Sequence, residues 1–230
     1  MALFTPGVLA GISGKIGGLV FSHGAGGPYI RTAGLVTNPN TPQQQAVRAI
    51  LAQLTSLWVD TLTDAEREAW ATYAANVTLP NRLGAQRNVS AMNMYVRSNV
   101  PIIQAGFARQ DVAPAIFDLG DFTAPIALGQ EAGQTLTVLF TDTDTWVDES
   151  DSFMAIYASR PQNPSINFFA GPYRFAGSID GDDTTPPTTP VLLTLPFAAV
   201  AGQIIHYRAQ VMRADGRLSA DVKLTALMGP

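Results

Sequence analysis

The sequence contains no cysteine and only two histidines, and its 14% of Asp, Glu, Lys and Arg is far below the quarter usual in a globular domain. Without cysteine there is no disulfide, no thiolate metal site and no thiol nucleophile, and the chain folds alike in reducing and oxidising surroundings. With only His23 and His206, a histidine-rich metal site is excluded and imidazole acid–base schemes have few candidates. No run of about 18 uninterrupted apolar residues is present, so a membrane-spanning helix is excluded. The apolar opening as far as Phe21 lacks a basic start and is broken by Pro6, Gly7, Gly11 and Gly14, so no signal peptide is expected. The 20 Gly and 16 Pro fall short of collagen-like or disordered composition, and 47% hydrophobic residues mark a folded protein. A chain of 230 residues makes one large or two modest domains and buries roughly 70% of its unfolded surface. Its sparse charge leaves a bland exterior, suited to being covered by a partner.

Charge is divided unevenly. Residues 1–110 carry eight Lys or Arg (Lys15, Arg31, Arg48, Arg67, Arg82, Arg87, Arg97, Arg109) against four acids (Asp60, Asp64, Glu66, Glu68), a net of +4. Residues 111–230 carry six basic and fourteen acidic groups, a net of −8, so a domain boundary is expected near residue 110. Twelve of the fourteen basic residues are Arg, which suits planar, bidentate contacts at interfaces. The positives are spaced singly with no basic run, and direct nucleic-acid binding is not expected.

Three segments follow from the pattern. Residues 1–40 hold nine glycines with short β-prone runs between them, Leu19-Val20-Phe21 and Tyr29-Ile30-Arg31 among them. Glycine at that density removes the side chains a core needs, so this stretch is either a flexible tail or, the favoured reading, an extended arm that pairs with a neighbouring subunit by strand addition. Residues 41–110 form a helical module. Thr41-Pro42-Gln43-Gln44 and Thr63-Asp64-Ala65-Glu66 are capping-box starts. Val47, Ile50, Leu51, Leu54, Leu57 and Trp58 follow the first at helical spacing, and Ala69, Trp70, Tyr73, Ala74 and Val77 follow the second. The short link between them predicts an antiparallel hairpin with both tryptophans at its core. A third helix is predicted over about Ser90 to Ser98, its extension limited by Pro101. Residues 111–230 alternate in short runs near 122–128, 134–140, 153–159, 172–179, 190–195, 203–212 and 217–226, which predicts an antiparallel β-sandwich. Asp215-Gly216 supplies the last hairpin turn, and Tyr207 stands where a tyrosine corner is expected. The fold class is therefore α+β: arm, helical module, sandwich.

Chemical motifs are few. Gly11-Ile12-Ser13-Gly14-Lys15 departs from a phosphate-binding loop, because Leu9 stands where its first glycine belongs and Ile16 where Ser or Thr belongs. It is not a nucleophile elbow either, because Lys15 replaces the final glycine. His206 is read as a surface or interface histidine. Asp142, Asp144, Asp148, Glu149 and Asp151, and separately Asp180, Asp182 and Asp183, are read as solvated loop acids, since neither group matches a calcium loop; weak Ca²⁺ binding at 142–151 is the remaining alternative. Tyr157, Phe168, Phe169, Tyr173 and Phe175 are numerous enough for an exposed patch that contacts sugar or protein. No nucleophile, base and orienter can be assembled, so no catalytic, metal or cofactor site is assigned.

Two resemblances add to this. Leu192 to Ser219, with Gly202, Tyr207, Val211, Asp215-Gly216 and Ser219, resembles the last three strands of a fibronectin type III or immunoglobulin-like domain. Ser13-Gly14-Lys15-Ile16-Gly17, Tyr29-Ile30-Arg31, Asn38-Pro39-Asn40-Thr41, Gln44-Gln45-Ala46-Val47-Arg48, Trp58, Leu62-Thr63, Arg67-Glu68-Ala69-Trp70 and Asn93-Met94-Tyr95-Val96-Arg97 together resemble a group of tailed-phage and prophage structural proteins. The second resemblance implies a non-enzymatic virion protein, assembled in the bacterial host cytoplasm with other capsid or tail subunits and itself oligomeric. A capsid cement or decoration protein comes first, and a tail, neck or fibre-adaptor protein second. A carbohydrate-binding adhesin module is the reading from a different class. The expected partner contacts are Ile16, Leu19, Phe21, Tyr29, Ile30 and Arg31.

Overall fold

The computed structural model of the chain describes residues 2–3, 13–24, 26–33, 38, 40–81, 83–124, 127–130, 133–166, 169 and 171–229. Both capping boxes form. Thr41 and Gln44 exchange bonds of 3.4 and 3.2 Å to open α1 (Pro42–Asp60), and Thr63 and Glu66 exchange bonds of 3.3 and 2.7 Å to open α2 (Asp64–Asn76). Arg67 reaches back from α2 and donates to the Trp58 and Val59 carbonyls at 2.9 and 3.0 Å, satisfying acceptors that the end of α1 leaves open.

The third helix, α3 (Ala91–Ala105), runs through Pro101 instead of stopping at Ser98. Proline removes one N–H from the ladder. Here burial of Pro101 and Ile102 holds the helix on, until Gly106 adopts φ +89°. Gly106 then donates to Ile103 and Phe107 to Ile102, the crossed pair of bonds that ends many helices at a left-handed glycine. The expected hairpin of α1 and α2 is replaced by a different arrangement, in which both pack on α3. Tyr95 is the reason: fully buried, it lies 5.5 Å from Trp58 of α1 and 5.5 Å, edge-on, from Trp70 of α2.

The strands are β1 (Ala2–Leu3), β2 (Gly14–Ile16), β3 (Leu19–Gly24), β4 (Gly27–Thr32), β5 (Leu79–Pro80), β6 (Gln86–Arg87), β7 (Ala127–Gln130), β8 (Gly133–Leu139), β9 (Phe153–Ala158), β10 (Arg174–Asp180), β11 (Val191–Ala199), β12 (Ile204–Met212) and β13 (Val222–Leu227). All pairings are antiparallel, in sheets ordered β1-β4-β3-β2, β5-β6, β11-β8-β7 and β10-β9-β12-β13. The chain is thus a mixed helix and antiparallel-sheet protein of the α+β class. Among the described residues no helix is long and apolar enough to cross a membrane.

The last two sheets share one core, with Leu136, Val138 and Leu195 from one side meeting Met154, Ile156, Tyr207 and Val211 from the other. The opposite face of β9 and β12 is covered by the end of α3, where Ile102 joins Phe153, Ala155 and Met212, and Phe107 stacks on Phe153 at 5.0 Å. Every residue of β9 is therefore buried, and the strand is the middle of a helix–sheet–sheet stack.

Two expected strands differ from the pattern. In 122–128 only Ala127 and Leu128 are in a strand; 125 and 126 lie outside the described residues. The final strand starts at Val222, not 217. Gly216, at φ +89°, does make the turn, but Ser219 then turns inward to accept from the Val211 N–H at 2.9 Å, which delays the return strand. Tyr207 is no tyrosine corner: it lies mid-strand, paired with Ala158 and Leu224, and its buried hydroxyl has no hydrogen-bond partner.

Candidate functional site

The glycine-rich arm contains a sheet. Ile16 pairs with Leu19 across a two-residue Gly17-Gly18 turn, with Gly17 at φ +56°, a sign that side chains rarely adopt. Leu19 pairs with Thr32, and Phe21 with both Gly14 and Ile30. Residues directly opposite one another share a face, so Ile16, Leu19, Phe21, Pro28 and Ile30, with His23 and Thr32 at its ends, fall on one side, and Lys15, Val20, Tyr29 and Arg31 on the other. The six expected contact residues are thus divided between an apolar face and a cationic one. Ile16 is 62% and Leu19 43% exposed, Arg31 is exposed, and Phe21, Tyr29 and Ile30 are half-buried. None of the three buried clusters includes a described residue of the arm. Among the described residues the apolar face continues no core. The arm meets the helical module where Gly26 lies beside the Arg87 guanidinium.

The other residues singled out in the sequence have structural work. His206 is 7% exposed, not a surface group: its ring stacks on Phe169 at 5.1 Å and 1°, and Nδ1 bonds to the Thr225 hydroxyl at 2.9 Å. Alternation did place it opposite Tyr207, but Phe169 covers that face too. The acids cap and clamp. Asp144 accepts from the Thr123 N–H at 2.7 Å, Glu149 from Arg213 and the Ala214 N–H, and Asp182 from the Thr184 and Thr185 N–H groups. Among the described residues no three acid or histidine side chains converge. The loop carrying Asp144 and Glu149 also holds Trp146 and Val147, which plug the core between the sheets. Of the aromatic group, Phe168 lies outside the described residues; Phe169 meets Tyr173 edge-on at 5.0 Å, and Tyr157 lies under Arg208. Burial pushes the Tyr73 and Tyr95 hydroxyls up to about 12, so both remain donors, Tyr73 to the Asp118 carbonyl at 2.8 Å and Tyr95 to the Asp111 carboxylate at 3.4 Å.

Some contacts had no sequence signal. Arg97 of α3 donates to the Leu218 and Ser219 carbonyls at 2.8 and 2.9 Å, 121 and 122 residues away, and ties the helices to the β12–β13 loop. Others had one: His206, Arg208 and Gln210 alternate along β12, a polar row on a strand whose remaining residues are apolar or aromatic.

No protein-family model matches the chain, and no curated protein matches it. Among solved structures it is similar to a β-1,2-glucanase from Parabacteroides distasonis, at 13% identity over 48% of this chain, with a TM-score of 0.26. The chain spans 14% of that enzyme's length, and a likeness at that score carries no argument about fold or activity.

Proposed function

We propose that the protein is a non-enzymatic structural component of a tailed-phage virion, in the first place a capsid cement or decoration protein, and that it joins the particle through its N-terminal sheet. The observation that carries this reading is the apolar face of that sheet, which presents Ile16 and Leu19 to solvent and joins no buried cluster among the described residues. A small sheet with no core behind it is marginal in water, and docking Ile16, Leu19, Phe21 and Ile30 on a neighbouring subunit supplies the missing layer. The first acid in the sequence is Asp60, so Lys15, Arg31 and Arg48 give the docking end a single sign of charge. The resemblance of residues 13–97 to phage structural proteins supports the same reading.

The C-terminal pair of sheets is proposed as a fibronectin type III or immunoglobulin-like sandwich. Its support is strand order: with β7 to β13 taken as seven successive strands, the first, second and fifth form one sheet and the fourth, third, sixth and seventh the other.

Quantitative mass spectrometry of purified particles tests the function. A copy number near that of the major capsid protein is expected for a cement or decoration protein, and a much smaller one moves the protein to tail, neck or fibre. Absence from the particle overturns the virion reading. Deleting residues 1–36 is expected to prevent incorporation while leaving the remainder folded.

A further inference from the structure

Between the first half of α1, α3 and the β10-β9-β12 face lies an open groove of about 780 Å³. Arg97, Arg174 and Arg208 line it, and among the described residues no Asp or Glu does. Arg97 already gives two bonds to backbone carbonyls. Arg208 has no acidic partner: its guanidinium carbon sits 4.2 Å above the Tyr157 ring, its Nε is buried without a partner, and it makes no ion pair among the described residues. Lys223 stands directly opposite Arg208 across the β12–β13 pair. Like charges so placed repel. The acid beside them, Asp221, pairs with Lys223 at 3.7 Å, exposed to water, and its charge is also felt at Arg97, but it makes no ion pair with Arg208. A cation stacked on an aromatic ring, with an orphaned N–H and a second cation across the strand, is an arrangement that an anion relieves.

We propose that this groove binds an acidic peptide segment of a partner protein, with a carboxylate on Arg208. A guanidinium seated over the Tyr157 ring is planar and can take a carboxylate by two parallel bonds. Beside the cations the wall is apolar, made by Val47, Ile50, Val100 and Ile103, with Val47 47% exposed. An inorganic anion has no use for that wall, whereas a peptide alternating acidic and apolar side chains fills both halves. A sugar acid is disfavoured because the aromatics that line the groove are engaged within the protein, Tyr157 by Arg208 and edge-on by Phe175, and Tyr173 edge-on by Phe169. This site is separate from the N-terminal sheet and does not rest on the virion reading.

The test is binding of a fluorescently labelled peptide of alternating Glu and Leu to the full-length chain, followed by anisotropy. Affinity is expected to fall about tenfold in Arg208→Gln. It should be unchanged in Arg160→Gln, whose side chain lies over Phe197 instead, and a Gln-for-Glu peptide should not bind. Should Arg208→Gln fail to fold, Lys223→Gln at an exposed strand position replaces it, with a loss of about threefold expected. Equal affinity in the wild type and the folded variants overturns the proposal. Competition by inorganic phosphate or polygalacturonate as strong as by unlabelled peptide also overturns it, in favour of a plain anion or an acidic sugar. Self-association that depends on Arg208 without peptide overturns it in favour of a second copy.

Discussion

Gly181 holds the loop that carries Trp146 into the core. Its N–H donates to the Ser152 carbonyl at 2.9 Å, and a Cβ at this position would overlap the Ser152 hydroxyl and the Trp146 carbonyl and sit 2.7 Å from the Glu149 carbonyl. Two of those three atoms are backbone, so neither can swing aside. Gly181→Ala is therefore expected to cost at least about 3 kcal/mol, well above an ordinary surface substitution, and denaturant unfolding measures it. His206 acts through protonation. Burial lowers its pKa below the ordinary value. Between about pH 7.5 and about pH 5.5 the unfolded chain takes up a proton near 6.5 that the folded ring resists, so stability falls as pH falls. His206→Gln should flatten that part of the curve. Equal slopes in both proteins, from unfolding midpoints at the two pH values, would assign the dependence to other groups.

At the scale of elements, the helix starts were legible and one helix end was not. A capping box is complete within four residues, so Thr41 and Thr63 announce α1 and α2 without help from the rest of the chain. Pro101 signals a stop just as locally, but burial of Ile102 against Phe153 and Met212 overrides it, and those partners lie some fifty and more than a hundred residues further on. The pairing of α1 and α2 failed to appear for the same reason, because the surface both prefer belongs to a helix not yet reached in the sequence. Strand positions survived better, since alternation is local and each run had a face to bury. The β-prone runs of the arm were legible as strands but their pairing was not, because nine glycines hide the register that sorts the residues onto two faces. Asn99 shows what holds α3 to its neighbour loop: the fully buried amide donates to the Tyr95 and Gln110 carbonyls at 3.1 and 3.0 Å and accepts from the Gln110 N–H at 2.7 Å. Asn99→Ala strands both backbone groups of Gln110. A loss of about 2 kcal/mol with helix content retained is expected, read from thermal unfolding and circular dichroism; a loss below about 0.5 kcal/mol would mean water replaces the amide.

The whole molecule has two regimes of order. The helix–sheet–sheet stack shares side chains across its layers, so Arg97, Arg217 and Tyr73 each link segments far apart in sequence, and it should open as one unit. The arm sheet has backbone pairing of similar regularity and, among the described residues, belongs to no buried cluster. Backbone bonds facing water contribute little alone, and glycine raises the entropy lost when the strands order. In the isolated chain, amides of β3 and β4 should therefore exchange with solvent at opening free energies near zero, while those of β9 and β12 approach the global value. Docking on a partner surface should bring β3 and β4 up to the level of the core without moving β9, because the new contacts are made only on the Ile16–Leu19–Phe21–Ile30 face. Hydrogen exchange read by mass spectrometry, on the free chain and on the assembled particle, decides the point. Arm protection equal to that of β9 in the free chain would mean that the sheet is self-sufficient, and its apolar face would then need an explanation other than assembly.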